Sequence, residues 1–463
     1  MCLEGVESIS TPNGVPTDEM LTYHGAMRSL KKLRAILGLP WTPIGRRRIA
    51  RGILFRSGFL LWPLATLYRR VFLRKTKLIA VTGSFGKTTT TRAVMSALCL
   101  PGERHVIWNA GGYLPLALLR TPPASPYCVL EVGISASGQM ARYARRIRPD
   151  VVVVTAVGSE HIDRLKTLET TRQEKAELVR ALGPDGTAAL NGDDENVRWM
   201  ATQTDAPVVT FGLSPGCAVR PDELQLLPEG GARLTVGGSE TQIRLKTKLI
   251  GRQAVYPVLA GLAVARVLGR SAEAAARGLE GLPAAPERLQ MVRLQGGAQA
   301  VLDTAKSSLE TIDVGMQAVA TLDAGRRIAV LGDIEGAPGS QGPIYRDVGR
   351  KLGAAFDEIF FVGGRKTFTP LAAGAADAGL PRDHVIRLGR TVAEAIPPLR
   401  KAIRAGDVVW IKGRSTQHLA RIGLALAGKD VRCHLVYCPV TPGCEICPML
   451  SWGRGPSLSK GGR

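Results

Sequence analysis

The stretch from Thr82 to Thr91 constrains this chain more than any other. It reads Thr-Gly-Ser-Phe-Gly-Lys-Thr-Thr-Thr-Thr and follows the apolar run Leu78-Ile79-Ala80-Val81. A short buried strand that runs into glycines, then Lys-Thr, then a helical segment (Arg92 to Leu98) is the layout of a phosphate-cradling loop. Gly83 and Gly86 let backbone N–H groups approach phosphate oxygens, with Ser84 and Thr89 in the same loop. Lys87 supplies a cation for β- and γ-phosphates, Thr88 offers a hydroxyl to Mg²⁺, and the helix N-terminus adds its positive dipole end. The spacing is unusual. Only Ser84 and Phe85 separate Gly83 from Gly86, whereas the common P-loop has four residues before its Gly-Lys.

At 463 residues the chain has room for two or three domains, each with its own core. Hydrophobic residues make up 45%, as in globular proteins, and the formal net charge is +22. That charge favours anionic partners without choosing among nucleotides, phosphorylated substrates, anionic lipid and nucleic acid. The sequence has no apolar run of about 20 residues and no secretory signal pattern, so the expectation is a cytoplasmic protein.

Composition divides the chain. Residues 1–77 hold fourteen Lys/Arg against four Asp/Glu. Residues 78–285 alternate apolar strands and helical segments, as parallel α/β folds do, with clear strands at 78–82, 128–132, 151–156, 187–190 and 208–211. Residues 220–248 alternate polar and apolar, which reads as an antiparallel hairpin. Pro283 and Pro286 mark a boundary. A second α/β set occupies 286–430, with strands at 300–302, 327–331, 358–362, 385–387 and 408–411. Residues 431–463 form a cysteine-rich tail.

Ligands of open α/β sheets gather at the carboxyl ends of strands. Glu131 ends one strand beside the phosphate loop and is placed to coordinate Mg²⁺. His161 follows the end of the next strand, in Gly158-Ser159-Glu160-His161-Ile162-Asp163. Lys175 shares a helical face with Leu178, Val179 and Leu182. It either snorkels to water or is a desolvated amine able to take up CO₂ as a carbamate, which turns a cation into an anionic metal ligand.

Taken together, Thr-Gly-Ser-Phe-Gly-Lys-Thr-Thr-Thr, Leu-Glu-Val-Gly, Glu-His-Ile-Asp and a lysine fourteen residues past the histidine resemble the Mur ligases. Those are ATP-dependent amide-bond ligases of peptidoglycan precursor synthesis. The Glu-Val-Gly element and residues 147–177 are most similar to the branch that adds D-alanyl-D-alanine. The resemblance also covers Leu190-Asn191-Gly192-Asp193-Asp194, Gly332-Asp333 and Lys412-Gly413-Arg414-Ser415. It implies a central P-loop ATPase domain with a parallel sheet and a C-terminal Rossmann-like domain. It further implies Lys87 and Thr88 on ATP and Mg²⁺, Glu131 and His161 on two metal ions, a carbamoylated Lys175, and Asp303 near the nucleotide. Three departures stand out. The family's Gly-x-His-Asn-x-x-Asn is replaced by Gly251-Arg252-Gln253-Ala254-Val255-Tyr256-Pro257, without the asparagine expected near adenine. Thr304-Ala305-Lys306-Ser307-Ser308 lacks the usual aromatic and His or Asn residues. Ahead of the loop stand 77 basic-rich residues in place of the domain that grips a UDP-sugar.

Two segments fall outside the resemblance. Residues 53–73 interleave Phe55, Phe59, Trp62, Tyr68 and Phe72 with arginines. They read as a helix packed on the ATPase domain, or as an interfacial anchor on anionic lipid, with residues 46–77 as the contact. No nucleic-acid recognition module is present, and nucleic acid is not expected as a partner. Cys433, Cys438, Cys444 and Cys447 give C-x4-C-x5-C-x2-C, which suits a structural Zn²⁺ site. The expected function is an ATP-dependent carboxylate–amine ligase working through an acyl phosphate on small-molecule acid and amine substrates. Its rivals are a ligase of the same fold on an acid without UDP, and a nucleotide-binding partner subunit that does not ligate.

Overall fold

The computed structural model describes residues 43–100, 111–158, 165, 167–237, 242–336, 339–436, 438 and 443–452. His161 and the segment after residue 452 lie outside the described residues.

The first sheet has five parallel strands: β1 (Lys77–Thr82), β2 (Tyr127–Glu131), β3 (Val151–Val154), β4 (Thr187–Asn191) and β5 (Val208–Phe211), in the order β2-β1-β3-β4-β5. Its strands are apolar on both faces because helices cover both. Ile79 and Val81 of β1, with Val151 and Val153 of β3, pack under the helices Lys87–Ala97 and Val255–Val267. Leu78, Ala80, Val152 and Val154 point the other way, as the two-residue strand period requires. They meet Leu114, Leu118, Met140 and, from the helix Gly58–Phe72, Trp62 and Ala65. Successive strands are laid down on either side of β1, so the strand order reverses between β1 and β3. The phosphate loop leaves β1 at that switch point.

Residues 221–247 form three antiparallel strands rather than one hairpin: β6 (Pro221–Leu226), β7 (Ala232–Val236) and β8 (Ile243–Thr247). The second large sheet runs β13-β12-β11-β14-β10-β9. Its members are β9 (Gln290–Arg293), β10 (Gln299–Asp303), β11 (Arg326–Leu331), β12 (Glu358–Phe361), β13 (Val385–Arg387) and β14 (Asp407–Lys412). All pairs are parallel except β9–β10, an antiparallel edge that the sequence pattern did not reveal. Gln290-Met291-Val292-Arg293 neither alternates polar with apolar nor holds a fully buried residue, so its signal is that of a loop.

Candidate active site

The loop after β1 takes the shape its glycines permit. Gly83 has φ +145°, and a Cβ there would overlap the Thr155 hydroxyl. Gly86 caps the Lys87–Ala97 helix in the left-handed region at φ +77°, which glycine adopts without steric cost. The segment that leaves β3 braces the loop. The Thr155 hydroxyl donates to the Phe85 carbonyl at 2.6 Å, the Ser84 N–H donates to the Ala156 carbonyl at 2.7 Å, and the Ser84 hydroxyl accepts from the Gly158 N–H at 2.9 Å. Backbone amides at a helix N-terminus are thereby fixed before any anion arrives.

Two lysines converge on this loop. The Lys87 amine donates to the carbonyls of Gly83 at 2.8 Å and Ser84 at 3.0 Å. Lys175, from the helix Leu168–Arg180, is buried, and its amine donates to the same Gly83 carbonyl at 2.9 Å. The amine therefore turns inward to the phosphate loop and does not snorkel. Glu131 is buried at the carboxyl end of β2, two strands' width from β3.

A cleft of about 470 Å³ opens above the loop between the two large sheets. Ser84 to Thr90, Glu131 and Asn191 line it from the first sheet. Arg288, Asp303, Lys306, Glu310 and Lys412 line it from the second. Asp303 and Lys412 end the paired strands β10 and β14, and their side chains form a 2.7 Å ion pair. Burial holds the Lys412 amine below the usual lysine range, against the opposing pull of Asp303. Across the cleft, the Lys306 amine stands 4.7 Å from the centre of the Phe85 ring, so a cation–π contact ties the second sheet's side of the cleft to the phosphate loop.

The altered segment 251–257 forms the cleft's far wall through Gln253, Ala254, Tyr256 and Pro257. The Tyr256 hydroxyl donates to Asp193 at 2.8 Å. Burial alone would raise the Asp193 carboxyl, but bonds from Ser214, Leu213 and Tyr256 outweigh it and hold the group low. Asp194 accepts from the Val157 N–H at 2.8 Å and also caps the short helix Glu195–Trp199. The Asn-Gly-Asp-Asp motif thus stitches the loop after β3 to the wall behind it.

Among the described residues, the cleft gathers Ser84, Gly86, Lys87, Thr88, Thr89, Glu131 and Asp303, with Gly83 and Lys175 at the loop behind. The four tail cysteines belong to another part of the molecule. Sequence reasoning left Asn191, Tyr256, Arg288, Lys306 and Lys412 without a role. Lys412 carried a usable signal, because it ends the apolar strand Val408-Val409-Trp410-Ile411 just as Glu131 ends its own.

An ATPase sheet and a second α/β sheet facing one phosphate-binding cleft define a class of nucleotide-driven two-substrate enzymes. Residues 81–265 match the model of the Mur ligase middle domain. Residues 81–265 thus carry a Mur ligase middle domain, and over about three quarters of its length the chain is similar to Mur ligases, the ATP-dependent amide-bond-forming ligases. It is 27% identical over 357 residues to the UDP-N-acetylmuramoyl-tripeptide–D-alanyl-D-alanine ligase of Bacillus subtilis, covering 75% of each chain. The Escherichia coli ligase of the same name is 25% identical, covering 69% of this chain and 72% of that one. In fold, a crystal structure of MurF from Acinetobacter baumannii superposes with a TM-score of 0.71 at 24% identity, over 81% of both chains. MurF from Thermotoga maritima in complex with ADP gives 0.66 at 22% identity, over 79% of this chain and 82% of that one.

Proposed function

We propose that the cleft between the two sheets binds ATP and a carboxylate and joins that carboxylate to an amine. The residues 78–285 act as the ATPase domain and 286–430 as the domain that brings the second substrate. The observation that carries this reading is the convergence, in one cleft, of a preformed phosphate loop and a buried acid–lysine pair on the facing sheet. A carboxylate oxygen attacks the γ-phosphorus, the bond to the β-phosphate oxygen breaks, and ADP leaves. The amine then attacks the acyl carbon of the mixed anhydride, expels inorganic phosphate and loses a proton to give the amide.

The chain's own groups divide this work. Loop amides and Lys87 hold the phosphates and offset the charge on the transferring group. Thr88, Thr89 and Glu131 are oxygen donors, a set that fits Mg²⁺, and His161 is assigned to the same metal site. Mg²⁺, when bound, supplies charge neutralisation across the β- and γ-phosphates. Asp303 and Lys412 orient the reacting ends from the second sheet, and Lys306 on Phe85 registers the two sides of the cleft. Lys175 and Lys87 donate to the same Gly83 carbonyl. Attack of a neutral Lys175 amine on CO₂, with loss of one proton to solvent, would give a carbamate that puts an anionic ligand where a cation stood.

The first substrates to test are those in the relatives' names, a UDP-N-acetylmuramoyl-tripeptide and D-alanyl-D-alanine, alongside acids without UDP. ADP release should require both an acid and an amine, with one amide formed per ADP. Lys87→Ala should cut that release to less than about a tenth, because such a contact contributes several kcal/mol in the transition state. ADP release unaffected by the substitution, or never accompanied by an amide, contradicts the assignment.

We further infer that this enzyme works in the cytoplasm against an anionic lipid surface. The helix Gly58–Phe72 exposes Phe59, Leu60, Leu64, Leu67, Val71 and Phe72, at 48% to 74% of their full area. Arg70, Arg74, Lys75, Lys77, Arg145 and Arg146 line the hollow beside its C-terminal end. An apolar stripe ringed by cations complements an interface of acyl chains and phosphate headgroups. No described helix is long and apolar enough to cross a membrane, so the contact lies along the surface.

A further inference from the structure

The C-terminal tail returns to the second large sheet, where side chains from three separate segments converge. Glu287 precedes β9, His418 precedes the helix Ala420–Leu426, and Cys444 opens a short 3₁₀ turn, Cys444–Ile446. Their ligand atoms all lie within 4.8 Å of one another, and each residue is buried. Glu287 at φ +60° and His418 at φ +50° both hold left-handed backbone. Side chains other than glycine take that conformation at a cost, so the surrounding structure must over-determine both positions.

The imidazole gives the strongest indication. His418 Nε2 stands 2.8 Å from the carbonyl oxygen of Cys438, which can only accept. Nε2 therefore carries the hydrogen, and Nδ1 presents its lone pair. Nδ1 is buried and has no hydrogen-bond partner. A lone pair left unmatched in the interior is costly. A ring whose other N–H is held by a backbone carbonyl is oriented as metal-binding histidines are. Glu287 accepts from the Cys444 N–H at 2.9 Å and from the Thr304 hydroxyl at 2.8 Å, one bond to each oxygen, which leaves a lone pair on each. Beside the cluster, buried Arg421 donates to the carbonyls of Gln417, Cys433 and Leu435 and to the Cys433 thiol at 3.4 Å.

We propose that this cluster is a structural zinc site that pins the tail to the second sheet. Its ligands are His418 Nδ1, Cys444 Sγ and a Glu287 oxygen, with a fourth from Cys447, whose N–H donates to the Cys444 carbonyl at 3.1 Å, or from Cys433, whose thiol accepts from Arg421 beside the cluster. Both thiols lose their protons to solvent on binding. A dication held by two thiolates, one carboxylate and a neutral imidazole leaves one net negative charge, which Arg421 offsets. Cys438 takes part through its carbonyl, not its thiol. The ligand set therefore differs from the four cysteines that spacing alone suggests, and draws two members from outside the tail.

The full chain, purified without added metal, should carry one zinc per chain by elemental analysis. His418→Gln and Cys444→Ser should each weaken zinc binding on the order of tenfold or more. Cys438→Ser should leave it unchanged, and Cys447→Ser against Cys433→Ser identifies the fourth ligand by which one loses metal. In case a variant misfolds, chelator-stripped wild-type protein titrated with Co²⁺ should develop the visible bands of tetrahedral cobalt–thiolate, saturating at one equivalent. Three results overturn the proposal: no bound metal together with no cobalt bands, an iron–sulfur chromophore, or zinc lost from Cys438→Ser but kept by His418→Gln.

Discussion

Lys175 and Lys87 share one acceptor, the Gly83 carbonyl, and this makes Lys175 the most informative residue to change. A carbamate at its position would serve as an anion beside the metal site, so loss of the amine should be repairable by another anion. Lys175→Ala is expected to lose ligation by about a hundredfold or more, and added short-chain carboxylates should restore part of it. Lys175→Glu should recover some activity, and Lys175→Arg should not, because a fixed cation opposes Mg²⁺. Initial rates across this series decide the matter. If Lys175→Arg proves the mildest change and carboxylates have no effect, the residue acts as a cation on the loop carbonyl. At this scale the sequence located residues at strand ends and glycine turns that the fold gathers in one place: Lys87, Glu131 and Asp303 line one cleft, with Gly83 in the loop behind it. Lys412 offered the same strand-end signal, but its pairing with Asp303, 109 positions away, and that of Tyr256 with Asp193, 63 positions away, left no local trace.

The helix Gly58–Phe72 shows how one element can serve two surroundings. Gly58, Trp62 and Ala65 form its buried stripe, and Trp62 stacks on Tyr143 with ring centres 6.1 Å apart. Leu60, Leu64, Leu67 and Val71 repeat at intervals of four, three and four on the opposite side and stay exposed. Both readings that the sequence left open are thus compatible with one helix, because periodicity shows an apolar face but not what covers it. The two stripes should separate by experiment. Replacing Leu60, Leu64 and Leu67 together with Glu should greatly reduce co-sedimentation with phosphatidylserine vesicles at low salt and leave thermal stability near wild type. Trp62→Ala should instead cost about 3–5 kcal/mol of stability by opening a cavity. Vesicle binding that is equal in wild type and the triple variant removes the lipid assignment.

At the scale of the whole molecule, two sheets laid down in sequence contribute opposite walls of one cleft. Both sheets were legible as apolar runs between helical segments, and so was the phosphate loop. The edge strand β9 and the cluster of Glu287, His418 and Cys444 were not, because each is defined by distant chain segments meeting and leaves no local period. Placing carboxylate and amine on facing walls favours sequential transfer through an intermediate that never meets water, with closure of the cleft protecting it. The central claim is that the substrate carboxylate is phosphorylated before the amide forms. It is tested by giving the enzyme the acid–amine pair selected in the ADP assay, with ¹⁸O in both carboxylate oxygens, and analysing the released phosphate by mass spectrometry. An acyl phosphate requires one ¹⁸O in each inorganic phosphate formed alongside ADP. Phosphate free of label, or label appearing in AMP, would contradict it.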